Sequence, residues 1–246
     1  MDVREFSYQF DVLYNNISSN RAPSLNSYDK AVFLTQSQNA LVKNYFFTSG
    51  EGLKGFDGNQ KRQIDFSFLI TDGDATYNTS TSGLFDPRAL VFDLPERVLL
   101  IVNEAVYFTK YTPNVMRQVI PISYDEYTRL MQKPYKEPLK NQAWRLFVQK
   151  NNDYHKADLI LNSADIADYI GNSLDNIDDK LRYAVRYVRR PKPIILEDLK
   201  VYGVDGEDKP LLTIDGKHEV TECELDPSVH EEILQKAVEM AKAAWG

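Results

Sequence analysis

The sequence predicts an α+β protein, with an N-terminal helical pair, a central mixed/antiparallel β region and a C-terminal amphipathic helix. Three observations carry that prediction. Val3, Phe6, Phe10, Leu13 and Ile17 recur at alternating spacings of three and four, which places them on one helix face. Leu181, Tyr183, Val185 and Tyr187 alternate with Arg182, Ala184 and Arg186, the period-2 signature of a half-buried strand. Near the end, Val229, Ile233, Ala237, Met240 and Ala244 form one helical stripe, with Leu234, Val238, Ala241 and Trp245 beside it.

The first helix starts at Asp2, with Glu5 three residues later as in a capping box, and stops in the polar run Asn15–Asn20 before Pro23. A second helix begins at Asn26 or Ser27 and runs to about Phe47. Its buried stripe is Ala31, Leu34, Leu41 and Tyr45, interrupted by Gln38, and the two helices are expected to pair antiparallel. Gly50, Gly52, Gly55 and Gly58 mark residues 49–59 as a flexible loop. Ile64, Phe66, Phe68 and Ile70 predict a strand, and Thr71–Gly83, polar and without an apolar period, predicts a second loop.

From Ala89 to Lys110 the chain is β-rich, divided by Pro95. Val119–Ile122 reads as a short strand. Ser123 and Glu126 then form a capping box for a helix ending near Gln132, before Lys133 and Pro134. Trp144–Gln149 and Asp158–Leu161 read as strands, and Ala164–Ile170 as a short helix or a loop. The strand through Leu181–Tyr187 ends at Pro191 and Pro193, and the apolar Ile194–Leu196 follows. Residues 203–219 form a turn-rich connection with a short strand at Leu211–Ile214. Asp226 caps the terminal helix and Pro227 sits at its first position. The expected organisation is therefore a helical hairpin at 1–48, a β-rich core at 49–225 with flexible loops at 49–59 and 71–83, and the helix at 226–246.

Composition narrows the function classes. The 246 residues are 43% hydrophobic and 12% aromatic, enough apolar material for a sizeable core. Twenty-nine cations against 36 carboxylates give a net charge of −7, which disfavours a protein that wraps nucleic acid. One cysteine excludes an intrachain disulfide framework. The longest apolar run, Val98–Val102, is far short of the ~20 residues of a membrane span. Met1–Glu5 lacks the basic start of a signal peptide, so a soluble protein kept in a reducing cytoplasm is expected.

No residue pattern carries a catalytic signature. Gly50-Glu51-Gly52-Leu53-Lys54-Gly55 has the G-x-G-x-x-G spacing, but a helix precedes it where a strand is required, so a loop is the better reading. Cys223 lies between Glu222 and Glu224, which oppose thiolate formation. His155, His218 and His230 are too scattered for a metal site, and Asp72 and Asp74 start a calcium-loop pattern that is not completed. The one charge anomaly is Arg182, Arg186, Arg189, Arg190 and Lys192. An inter-subunit surface is the preferred reading, ahead of a solvated strand face and a nucleic-acid contact.

Both ends of the sequence resemble a known family. Phe10–Ile17 through Ala22-Pro23, with Tyr28–Gln36, is similar to virion proteins of crAss-like gut bacteriophages. Tyr187–Leu199, with Arg190-Pro191-Lys192-Pro193-Ile194-Ile195-Leu196, and the closing helix His230–Ala241 are similar in the same way. The resemblance implies a ring or adaptor protein of the head–tail connector below the portal, assembled with the portal's twelvefold symmetry in the bacterial host cytoplasm. It implies partners: further copies of itself, the portal, neighbouring rings and a passing DNA duplex that is not held tightly. It implies no membrane, no catalytic residue, no metal and no cofactor; the competing reading is a small cytoplasmic hydrolase.

On this reading Arg182, Arg186, Arg189 and Arg190 face a neighbouring protein rather than the channel, and Leu234, Val238 and Trp245 partly contact another subunit. The loops at 49–59 and 71–83 are expected to order on assembly.

Overall fold

The computed structural model describes residues 1–15, 24–47, 67–79, 86, 88–110, 113–133, 136–150, 153–171, 176–202 and 212–245. The chain divides into two compact units, one formed by Met1–Leu69 with Pro191–Gly246 and the other by Ile70–Arg190. That division differs from the expected boundaries at 48 and 226, because the N-terminal helices share a core with the C-terminal segment.

In the first unit, α1 (Val3–Asn15), α2 (Ser27–Phe47) and α4 (His230–Trp245) pack together. Much of the expected stripes is buried, with Phe6, Phe10, Leu34, Leu41, Ile233 and Ala237 inside; Met240 is half-buried, Ala244 is exposed, and Ile17 and the Tyr45 side chain lie outside the described residues. Helix α1 pairs chiefly with α4 rather than with α2. The Met1 ammonium donates to His230 Nδ1 at 2.8 Å, and Lys242 Nζ donates to the Leu13 carbonyl at 3.0 Å, so α1 and α4 run side by side in the same direction. The 2.6 Å ion pair between Lys30 and Asp11 ties α2 to α1.

Gln38, which interrupts the apolar stripe of α2, has a definite task. Its Nε2 donates to the Lys192 carbonyl at 2.7 Å, while Thr35 Oγ1 accepts from Ile194 N at 3.1 Å. These polar side chains satisfy backbone groups of the extended 192–195 segment, whose one bridge is Ile195 to Thr221. Asp226 caps the last helix as expected, accepting from Ser228 N at 2.9 Å, with Pro227 at the start of a short 3₁₀ turn leading into α4.

The second unit is a closed seven-stranded barrel, with strands in the order β1-β2-β6-β5-β4-β3-β7. The strands are β1 (Ile70–Tyr77), β2 (Leu90–Asp93), β3 (Val98–Phe108), β4 (Val115–Pro121), β5 (Gln142–Lys150), β6 (Asp153–Ile160) and β7 (Leu181–Arg189). Every neighbouring pair is antiparallel except β4 and β5. Parallel neighbours need a crossover. It is supplied by α3 (Tyr124–Met131), capped by Ser123 Oγ accepting from Glu126 N as the sequence indicates. Tyr127 of α3 packs with Trp144, Leu146 and Ile160 outside the barrel and donates its hydroxyl to Asp86 at 2.9 Å.

Two expectations are corrected here. Thr71–Tyr77, read as loop, is most of β1, whereas Ser67–Leu69, read as strand, is a 3₁₀ turn. Residues 49–59, 64–66 and 80–83 lie outside the described residues. The inward positions in the middle of β1, Gly73 and Ala75, are small, while Tyr77 at its end packs on the core: a Cβ on Gly73 would stand 3.1 Å from Pro95 Cγ and 3.3 Å from Tyr187 Cε1. Space at the barrel wall is taken by large residues from other segments, so β1 shows no apolar alternation.

The barrel interior is largely apolar, with Phe92, Val106, Phe108, Leu159, Tyr183 and Val185 at its centre. One ionic cluster is buried there. The Arg145 guanidinium forks onto Glu104, Nε to Oε2 at 3.0 Å and Nη2 to Oε1 at 2.8 Å, and the Tyr183 hydroxyl donates to Glu104 Oε2 at 2.5 Å. Burial, and then the charge of Glu104, push the Tyr183 phenol well above its ordinary value, so it stays a donor. At one end, Arg117 forks onto fully buried Asp165 at 2.9 Å and lies over the Phe108 and Tyr169 rings. This clamps the helical 163–170 segment against the barrel core.

Breaking a buried pair from one side leaves a charge without compensation, typically a loss of about 3–5 kcal/mol. Arg145→Met is expected to lower urea stability by that order, and the double variant Glu104→Gln/Arg145→Met to recover much of it. Equal losses in the two variants would contradict this account of the barrel interior.

His230 generates a second expectation. An ammonium only donates and a carbonyl only accepts, so His230 is neutral, with Nδ1 accepting from Met1 and Nε2–H donating to Leu225 at 3.0 Å. Burial, assisted by the neighbouring ammonium, holds its pKa below the ordinary value near 6.5. The unfolded chain then binds a proton that the folded chain refuses. The His230 contribution is therefore intact above about pH 6.5 and is lost as pH falls through the lower folded value. His230→Gln should show a flatter fall in urea stability than the wild type between about pH 7 and pH 5. Parallel curves would contradict it.

Candidate interaction surface

Period-2 geometry puts Arg182 and Arg186 on the outer face of β7, with Leu181, Tyr183 and Val185 inward. Antiparallel pairing with β1 sets Asp72 opposite Arg186 and Asp74 opposite Ala184. Across that register Arg182 Nε donates to Asp74 Oδ1 at 2.8 Å, and Arg186 lies 3.7 Å from Asp72. All four side chains are more than half exposed or close to it, so each pair is worth no more than about 1 kcal/mol.

The four charges border a shallow groove of about 420 Å³ across β1, β7 and β3. Its floor includes Ala105 and Ala184, and Asn103 and Tyr107 of β3 complete the far wall. Small residues between long charged ones make the trough. Its walls carry both signs, so it suits a polar protein surface with matched charges better than a run of phosphates.

The basic cluster of the sequence is thereby taken apart. Arg182 and Arg186 share a face and are met by carboxylates. Arg189 has the opposite parity on β7, and Arg190 leaves the strand, its N–H donating to the Arg97 carbonyl at 2.7 Å. Lys192 belongs to the other compact unit, where its ammonium pairs with Glu224 at 2.9 Å. Asp72 and Asp74 are the partners that sequence reasoning missed. The signal was present as charges at every second position, masked by the small inward residues between them.

On the terminal helix, Leu234 and Val238 are 2% and 4% exposed, so most of their surface is packed within their own unit. The wide apolar face does make two contacts, but α1 and α2 of the same chain provide them. The Trp245 side chain lies outside what the structure describes. Cys223 is held inert: burial pushes its thiol up to about 11, and its Sγ donates to Gln38 Oε1. Among the described residues, no cluster of His, Cys, Asp or Glu is arranged to hold a metal ion.

This surface belongs to a chain with clear relatives. A family model described as phage tail ring protein 3/4 matches residues 1–246. The chain belongs to that family. Ring protein 4/5 of Bacteroides phage crAss001 is 49% identical over 247 residues, spanning 100% of this chain and 94% of that protein. Ring protein 3 of the same phage is 29% identical over 253 residues, spanning 98% of this chain and 95% of its own length. The matches run the whole length, so both compact units are part of the family fold, including the middle, which the resemblance at the two ends leaves open.

Proposed function

We propose that this protein forms one ring of the head–tail connector of a phage virion, below the portal, with its copies arranged around the DNA channel in the portal's twelvefold symmetry. The role is structural, and the partners are further copies, the portal, and the rings above and below. The observation that carries the reading is the full-length match to ring proteins of a tailed-phage family, with 94% of the more similar relative covered. No helix among the described residues is long and apolar enough to cross a membrane.

The charges support passage of DNA without retention. Each phosphate neutralised by Lys or Arg adds salt-sensitive affinity, so a basic channel wall would act as a brake. The chain carries a net −7, and carboxylates meet Arg182, Arg186 and Lys192. Screening confines these fields to about 8–10 Å near physiological salt, so the side chains lining the channel decide the outcome. We assign the outer face of β7 to contact with a neighbouring protein.

Light scattering on the purified chain, alone and with its portal, tests the proposal. A discrete closed oligomer is expected. Duplex binding should be weak and unchanged by Arg182→Glu/Arg186→Glu, whereas the oligomer should be weakened. Tight duplex binding abolished by those substitutions, with assembly untouched, would contradict it.

A further inference from the structure

We propose that adjacent copies of this chain meet through two unlike patches: the exposed Met131 and Leu139 of one copy, with the lysines near them, seat in the groove between α1 and α4 of the next. The proposal rests on the ring reading above and names the contact that would build the ring.

The first patch is apolar and basic. Met131 and Leu139 are 42% and 65% exposed, unusual for aliphatic side chains so close in sequence. Lys133, Lys136 and Lys140, close to them in sequence, are all exposed. Met131 and Lys136 border the same small hollow. Glu137, which lines that hollow too, is occupied in accepting from the Ser163 N–H and hydroxyl at 3.0 and 3.1 Å. Three positive charges beside two exposed aliphatic groups stand out on a chain of net −7.

The second patch is an apolar groove of about 340 Å³ with an acidic rim. Tyr8 and Val12, one helical turn apart on α1, form one wall and are 71% and 40% exposed. Leu13 and Leu234 lie deeper, and Glu231 is the charged side chain at the edge. Glu5 stands one turn before Gln9 and accepts from its Nε2 at 3.2 Å. At this end of the two helices, Asp2, Glu5, Glu231 and Glu232 outnumber Arg4 and the Met1 ammonium. The groove has room for the Met131 and Leu139 side chains; at the Glu5 and Glu231 end its rim has the sign that the lysines require, while Lys242 at the other end is occupied in donating to the Leu13 carbonyl at 3.0 Å.

The two patches also select the geometry of assembly. Two-fold pairing of the basic patch with itself would oppose like charges, and so would pairing of the acidic rims. Contact between unlike patches is heterologous and propagates from copy to copy until a ring closes.

The test is disulfide trapping in the full-length chain. Val12→Cys and Leu139→Cys alter exposed positions, and native Cys223 is common to every sample. Mixing the two single variants under mild oxidation should give a cross-linked dimer at least about tenfold above either variant alone. Lys133→Glu/Lys136→Glu should weaken self-association about tenfold, and mixing with Glu5→Lys/Glu231→Lys should restore it. Oligomers by light scattering without the mixed cross-link would overturn this contact and leave the ring reading standing. A Leu139→Cys homodimer in place of the mixed product would overturn it as well. A wild-type chain that is monomeric at every concentration, alone and with its portal, would overturn both.

Discussion

Strand β7 is the constraint on which the barrel depends. It pairs with β1 from Ile70–Val188 to Ala75–Tyr183 and with β3 from Val98–Arg189 to Phe108–Leu181, and so closes the sheet. Its inward residues fill the interior, where Tyr183 meets both Phe92 and the Glu104–Arg145 pair. Its outward arginines meet Asp72 and Asp74. Closure removes the free strand edges through which sheet proteins most readily associate. A ring assembled from this barrel therefore has to use side-chain patches and helical grooves.

Four buried polar groups follow one rule in both compact units. Glu104, Asp165, Gln38 and His230 are each buried and each hydrogen-bonded, and each ties together segments far apart in sequence. Such groups contribute less to net stability than to fixing a single arrangement, since a well-packed apolar replacement is often as stable. For a ring protein this matters, because small errors in subunit shape accumulate around the circle. The unit that α1, α2 and α4 share is held by the same logic, with Thr35 and Gln38 satisfying backbone groups of the 192–195 segment beyond its bridge from Ile195 to Thr221.

The helices and β7 are legible in the sequence because their burial is one-sided and periodic. Phe6 and Phe10 on α1, Ile233 and Ala237 on α4, and Tyr183 and Val185 on β7 announce their faces directly. Strand β1 is not legible, since Gly73 and Ala75 leave the interior to Pro95 and Tyr187. The grouping of N- and C-terminal segments is also hidden, because it depends on contacts more than 190 residues apart, such as Ser37 to Ile233. At the candidate surface, charge type was readable but pairing was not: Arg182 and Arg186 look like a basic patch until β1 sets Asp74 and Asp72 beside them. Leu234 and Val238 show the same limit, as the width of an apolar face does not reveal which chain covers it.

Backbone hydrogen exchange, compared between the unassembled chain and its assembled ring, tests most directly whether assembly proceeds through side chains. The barrel strands already have their amides paired, so β2 and β4, which line none of the assigned surfaces, should show the same protection in both states, while amides flanking the contact patches slow on assembly. Strong new protection of barrel-strand amides on ring formation would mean that the barrel opens to pair edge to edge. That result would contradict the closed-barrel account.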